Sequence, residues 1–162
     1  MEIENWKLNE IKGKFEIVAP HSPEWLAMKL KELGIPRLQN VTGLNRKETW
    51  IDWNKMPVYH RFFFDLEGWE DKIAEFFARS ELKNTSHLII PYGWEEPVVK
   101  IPTELFLEDW EGFLRSTKYE TVIFSEDYRH IMEVSRDYCL HSNFRIVPEE
   151  YENHPSLKCD NR

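Results

Sequence analysis

Cysteine is nearly absent. Only Cys139 and Cys159 occur in 162 residues, which excludes the disulfide framework that staples small secreted domains. A single bridge would have to recruit the polar C-terminal tail, so reduced thiols are the expectation, and the pair lacks the ligand spacing of a zinc site. Glycine is also scarce: none of the six is spaced as G-x-G-x-x-G or precedes Lys-Ser/Thr, so nucleotide cradling has no local support. The G-x-S-x-G elbow and the H-E-x-x-H helix are missing too, and with them the local signatures of serine hydrolases and zinc proteases. Every apolar run is far shorter than the roughly 20 residues of a bilayer span. The N-terminal Met1-Glu2-Ile3-Glu4-Asn5-Trp6 carries acids where a secretory leader needs bases, and a cytoplasmic protein is the expectation.

What is present is acid, aromatic residues and strand-helix alternation. Residues 1–60 hold nine Lys/Arg against eight Asp/Glu, whereas residues 61–162 hold twelve against twenty-one. Such a field repels nucleic acid and anionic lipid and attracts a basic protein surface, so the expected partner is a protein, with no nucleic acid and no membrane. The length fits one domain, read as a globular unit over 1–147 and a polar, frayed tail over 148–162.

The expected fold is α/β or α+β, a single mixed β-sheet with about four amphipathic helices packed on it. Alternation over residues 14–19 predicts a first strand, and Ser22-Pro23-Glu24 predicts the capped start of a helix. Its stripe is Leu26, Leu30 and Leu33, and Gly34 stops it. Residues 48–53 and 58–64 flank Asn54-Lys55-Met56-Pro57 and read as a hairpin. The run Phe62-Phe63-Phe64 within it fits a central strand covered on both faces, preferred over one with an apolar surface meant for a partner. Trp69, Ile73, Phe76 and Phe77 mark a helix over 67–82, and residues 87–90 and 98–101 read as strands. A third helix, capped by Thr103, buries Phe106, Trp110, Phe113 and Leu114, which places Glu104, Glu108 and Glu111 about 180° away. Residues 119–124 read as a strand, Ser125-Glu126-Asp127 as the start of a fourth helix with Tyr128, Ile131 and Met132, and 138–147 as a returning strand.

No catalytic residue, metal ligand or cofactor is assigned. His130 with Glu126 and Glu133 shares one expected helix face, where a solvated mixed-charge surface is the preferred reading over acid-base work. Cys139 and His141 share a strand face, and a packed cysteine is preferred over a thiol-imidazole pair. The informative stretch is 92–111. Its acids Glu95, Glu96, Glu104, Glu108, Asp109 and Glu111 face one base, Lys100, and adjoin Tyr92 and Trp94 as aromatic anchors. These eight residues, the six acids with Tyr92 and Trp94, form the candidate partner-binding set, with help from 65–75.

An acidic, Trp-rich single domain that holds Trp94-Glu95-Glu96 and Leu107-Glu108-Asp109-Trp110-Glu111 resembles the immunity proteins of bacterial polymorphic toxin systems, including contact-dependent growth inhibition. The resemblance implies a monomer or weak dimer that neutralises a cognate, basic toxin domain. It is one of class and carries no residue-by-residue roles. Two other functions are kept open. One is a small hydrolase or metal-dependent enzyme with a dispersed site drawn from His60, Asp127, His130, Glu133 and His141. The other is a subunit of a larger assembly, docked through Trp50, Trp53 and Phe63.

Overall fold

A computed structural model describes residues 3–38, 49–93, 95–118 and 120–159. In chain order the elements are α1 (Trp6–Glu10), β1 (Glu16–Ala19), α2 (Ser22–Glu32), β2 (His60–Phe63), α3 (Glu70–Arg79), β3 (His87–Pro91), β4 (Val98–Pro102), α4 (Thr103–Glu108), α5 (Trp110–Ser116), β5 (Thr121–Ser125), β6 (Ile131–Val134) and β7 (Cys139–Ser142). The strands form one seven-stranded sheet in the order β1-β4-β3-β5-β6-β7-β2, and every ladder in it is antiparallel. With its helices grouped apart from a sheet of this kind, the fold is α+β.

Strand alternation sorts the core into two layers. Leu88, Ile90, Val99, Ile101, Ile123, Met132, Val134 and Leu140 join the larger cluster, with Phe76 and Phe77 of α3, Phe106 of α4 and Phe113 of α5. Ile89, Val98, Val122, Phe124 and Ile131 point the other way, onto Trp25, Leu26 and Leu30 of α2 and onto Ile51 and Trp53. The sheet is therefore buried on both faces.

Local chemistry explains both boundaries of α2. α2 closes with a Schellman arrangement: Ile35 N–H donates to the Leu30 carbonyl at 2.9 Å and Gly34 N–H to that of Lys31 at 3.1 Å. Gly34 takes φ +67° there, and Leu33, expected in the stripe, is 38% exposed at the C-cap. At the other end, His21 rather than Ser22 is the N-cap residue. The Ser22 hydroxyl instead donates to the Glu96 carbonyl at 2.8 Å and accepts from Tyr92 N–H at 3.0 Å, which pins α2 to the β3-β4 hairpin.

Three expectations fail, each for a physical reason. Residues 49–52 form no strand with β2; Ile51 bridges Arg37, residues 53–55 make a 3-10 turn, and β2 pairs with β7. The fourth helix is also absent. Asp127 accepts from the Ser125 hydroxyl at 2.6 Å and from Arg129 N–H at 3.1 Å, so the supposed capping residues close an Asx turn between β5 and β6. Ile131 and Met132 are both buried, but on opposite faces of a strand, which imitates the helical spacing.

The tail is the third. Residues 149–151 and 155–157 form 3-10 turns, Leu157 is buried in the larger cluster and Tyr151 packs against it. Cys159 is bonded to Cys139 with Cα atoms 6.1 Å apart, so the thiols are not reduced and the bridge recruits the tail. That bond removes the thiol argument for a cytoplasmic location. Among the described residues, no helix is long and apolar enough to cross a membrane.

Candidate functional site

The acidic stretch is built on two short helices rather than one. Asp109 breaks the expected third helix at φ −147°, ψ 56°, and its carboxylate caps α5 by accepting from Gly112 N–H at 3.1 Å. Lys7 of α1 reaches the same carboxylate at 2.6 Å and Glu10 at 3.1 Å, with its ammonium 4.8 Å from the centre of the Phe113 ring. Burial alone would lower the Lys7 pKa; the hydrogen bonds to Asp109 and Glu10 overcome it and hold the group above its ordinary value. Asp109 is thus a structural acid. Lys7 was not singled out from sequence, and only its i, i+3 spacing to Glu10 hinted at a bonded role.

The remaining acids divide by exposure. Glu104 and Glu108 are exposed on α4, and neither makes an ion pair among the described residues; Glu95 is exposed as well. Glu111, on α5, lies 3.5 Å from Arg115. Glu96 is half-buried against the backbone of Glu4 and Asn5, and burial pushes its pKa up. Tyr92 is 4% exposed, its hydroxyl accepts from Ser116 Oγ at 3.1 Å, and burial drives its pKa well above the ordinary value. Buried so, Tyr92 serves the core and is no surface anchor. Trp94 lies outside the described residues. Phe106, Trp110, Phe113 and Leu114 are all buried, as their spacing requires, so the carboxylates of Glu104 and Glu108 stand on a rigid base. From the flanking stretch, Asp65, Glu67, Glu70, Asp71 and Glu75 are exposed.

A second constellation lies between β6 and β7. Glu133 and His141 are cross-strand partners on the face covered by Trp53. The Glu133 carboxylate, 2% exposed, accepts from Trp50 N–H at 2.6 Å, Ile51 N–H at 3.1 Å and Trp53 Nε1–H at 3.0 Å. Burial pushes its pKa up to about 7 against the opposing pull of those three donors. His141 stacks with Tyr59 at 5.8 Å and with Trp53 at 6.0 Å, and burial lowers its pKa to about 4. Its Nδ1 meets Tyr59 Oη at 2.9 Å and its Nε2 meets Ser135 Oγ at 3.2 Å. Ser135 in turn donates to Asp137. Ser, His and Asp are therefore in series, but the carboxylate holds the hydroxyl instead of the imidazole, and Ser135 is 2% exposed. That wiring fixes positions; it does not prepare a nucleophile for a substrate. Glu133 as the anchor of residues 50–53 was invisible in sequence, because its three donors come from about 80 residues upstream.

The dispersed enzyme set does not converge. His130 Nε2 lies 2.5 Å from Glu81, Glu126 pairs with Lys100 at 2.9 Å, Asp127 closes its turn beside His130 and His60 is on β2, so the set splits into separate places, with Glu133 and His141 the cross-strand partners among them. Cys139 is disulfide-bonded, which removes the thiol-imidazole pair. Trp53 and Phe63 are buried and Trp50 half-buried, so the docking patch expected there is not open. Among the described residues, no three His, Cys, Asp or Glu side chains are placed to hold a metal ion. Comparison with protein-family models, curated proteins and solved structures finds no match, so the reading of function rests on this geometry.

Proposed function

We propose that the chain is a binding protein that neutralises a cognate basic protein domain, in the manner of an immunity protein, through the carboxylates of α4 and α5. The observation that supports this most is the exposure of Glu104 and Glu108 on α4, neither in an ion pair among the described residues, with Phe106 of the same helix buried. Because the helix itself is held by packing, aligning these carboxylates with Lys and Arg on a partner costs side-chain freedom but little backbone ordering. Glu111 and Glu95 extend the negative field, whereas Asp109 is committed to Lys7. Steering by such a field makes association fast and strongly dependent on salt.

The test is affinity capture from the native host followed by binding kinetics with the captured domain. A stoichiometric basic partner is expected, and reversing Glu104, Glu108 and Glu111 to Lys should slow association by about tenfold or more at low salt. Capture of no such partner, or association untouched by the reversal, overturns the reading.

A further inference from the structure

The first turn of α1 is clamped on both sides. Ahead of it, the Asn5 amide donates to the Ser116 carbonyl at 2.9 Å, and the backbone of Glu4 and Asn5 lies against the Glu96 carboxylate. Within it, Lys7 is bonded to Asp109, and Leu8 enters the larger core cluster together with Ile11 at the C-cap. Burying Lys7, Leu8 and Ile11 turns Trp6, Asn9 and Glu10 outward, at i, i+3 and i+4. Trp6 is 51% exposed, and it alone of the tryptophans among the described residues is exposed.

Single exposed apolar side chains are ordinary on a protein surface, so exposure alone assigns nothing. What distinguishes Trp6 is its place. The residues before it abut Glu96, and the residue after it holds Asp109 at the break between α4 and α5, so the indole stands between two parts of the acidic surface. Its backbone is already fixed and the indole turns about only two side-chain bonds, so ordering it on a partner costs little. The Lys7 ammonium that joins Glu10 to Asp109 is 5% exposed, whereas the two carboxylates are 59% and 48% exposed, so solvent beside the helix meets the anions and not the cation.

We propose that Trp6 is the aromatic anchor of the acidic surface and receives an arginine of the basic partner domain, whose guanidinium stacks on the indole and pairs with Glu10. Arginine suits this place better than lysine, because a planar, weakly hydrated guanidinium can lie on a ring face and still present its fork to a carboxylate. Trp6 thereby supplies the anchor expected of Tyr92, which is interior. The anchor presupposes the basic partner proposed above and adds to its surface a residue outside 92–111.

Surface plasmon resonance of the full chain against the captured basic domain, at low and high salt, tests it. Trp6→Ala should weaken affinity about thirtyfold at both salt levels, chiefly by faster dissociation, unlike the salt-dependent association effect of the charge reversals. Trp6→Phe should keep more of the affinity than Trp6→Leu, which retains apolar area but no ring face. Met28→Ala is the control: Met28 is 50% exposed on α2, over the other face of the sheet, and its loss should change nothing. Circular dichroism confirms that the variants are folded. Unchanged affinity of Trp6→Ala for a domain whose association the reversal of Glu104, Glu108 and Glu111 does slow overturns the anchor and leaves the acidic reading standing. Equal affinity of Trp6→Leu and Trp6→Phe overturns the stacked arginine, and capture of no basic domain overturns both readings together.

Discussion

The two faces of the sheet are buried to similar depth by different means. On one, aromatic and aliphatic side chains of α3, α4 and α5 interlock without a buried carboxylate among the described residues, as in the contact of Phe77 with Phe106 at 5.3 Å. On the other, α2 covers half, and the rest is an irregular segment, residues 49–59, tied down by Glu133 and stacked on His141. Helices satisfy their own backbone and need only apolar contact, whereas an irregular segment brings unpaired N–H groups into the interior and needs an acceptor there. A buried carboxylate supplies that acceptor, and its cost in desolvation is the cost of using a loop as a layer.

The largest effect expected from breaking this contrast is on the helical face. Phe77→Ala removes a fully buried ring and should destabilise by about 3–5 kcal/mol in denaturant unfolding. Glu133→Gln comes next at about 1–3 kcal/mol, because the amide oxygen cannot serve three donors and its NH2 finds no acceptor. Amide exchange should separate the two: the Gln variant should lose protection at Trp50 and Ile51 first, whereas the Phe77 variant should lose it across the sheet.

Acid titration sharpens the contrast. Glu133, raised to about 7 from 4.5, retains a proton in the folded state that the unfolded chain releases, so its contribution falls as pH rises through that interval. His141, lowered to about 4 from 6.5, refuses a proton that the unfolded chain accepts, so its contribution grows as pH rises through its own interval. Between pH 4.5 and 6.5 the two oppose each other, and this pair leaves the stability of the parent nearly flat. Glu133→Gln should expose the His141 slope, with stability rising with pH, and His141→Gln should expose the reverse. Parallel profiles for the two variants would refute the assignment.

Smaller effects belong to the acidic helices. Gly112→Ala would set a methyl 2.1 Å from Asp109 Oδ2, displacing the cap of α5 at a cost of about 0.5–2 kcal/mol. Glu104→Gln with Glu108→Gln should leave stability within about 0.5 kcal/mol, since both side chains are exposed and neither is in an ion pair among the described residues. A larger loss would mean that these carboxylates support the structure instead of waiting for a partner.

Much of this was legible in the sequence wherever the signal was local. The stripe Ile73, Phe76, Phe77, the β3-β4 pair and the buried row Phe106, Trp110, Phe113, Leu114 all follow from periodicity. Phe62, Phe63 and Phe64 are buried as expected, but β2 is an outer strand and not the central one their run suggested; its one partner among the described strands, β7, is about 80 residues away, and no short-range pattern encodes that pairing. Of the eight residues expected at the surface site, Glu95, Glu104 and Glu108 are exposed and Glu111 partly so, while Tyr92 is interior and Asp109 is a cap. Polarity alone does not distinguish an acid that meets solvent from one that closes a helix.

The C-terminal segment has one more consequence. Leu157 sits in the larger cluster, and Cys139, which holds Cys159, alternates with Leu140 of that cluster, so the chain passes from one face of the sheet to the other beside β2. β2 and β1 are the outer strands; the C-terminal segment runs beside β2, and Ile17 and Val18 are exposed along β1. The disulfide-tied strap crowds β2, so edge pairing between molecules is favoured at β1 over β2.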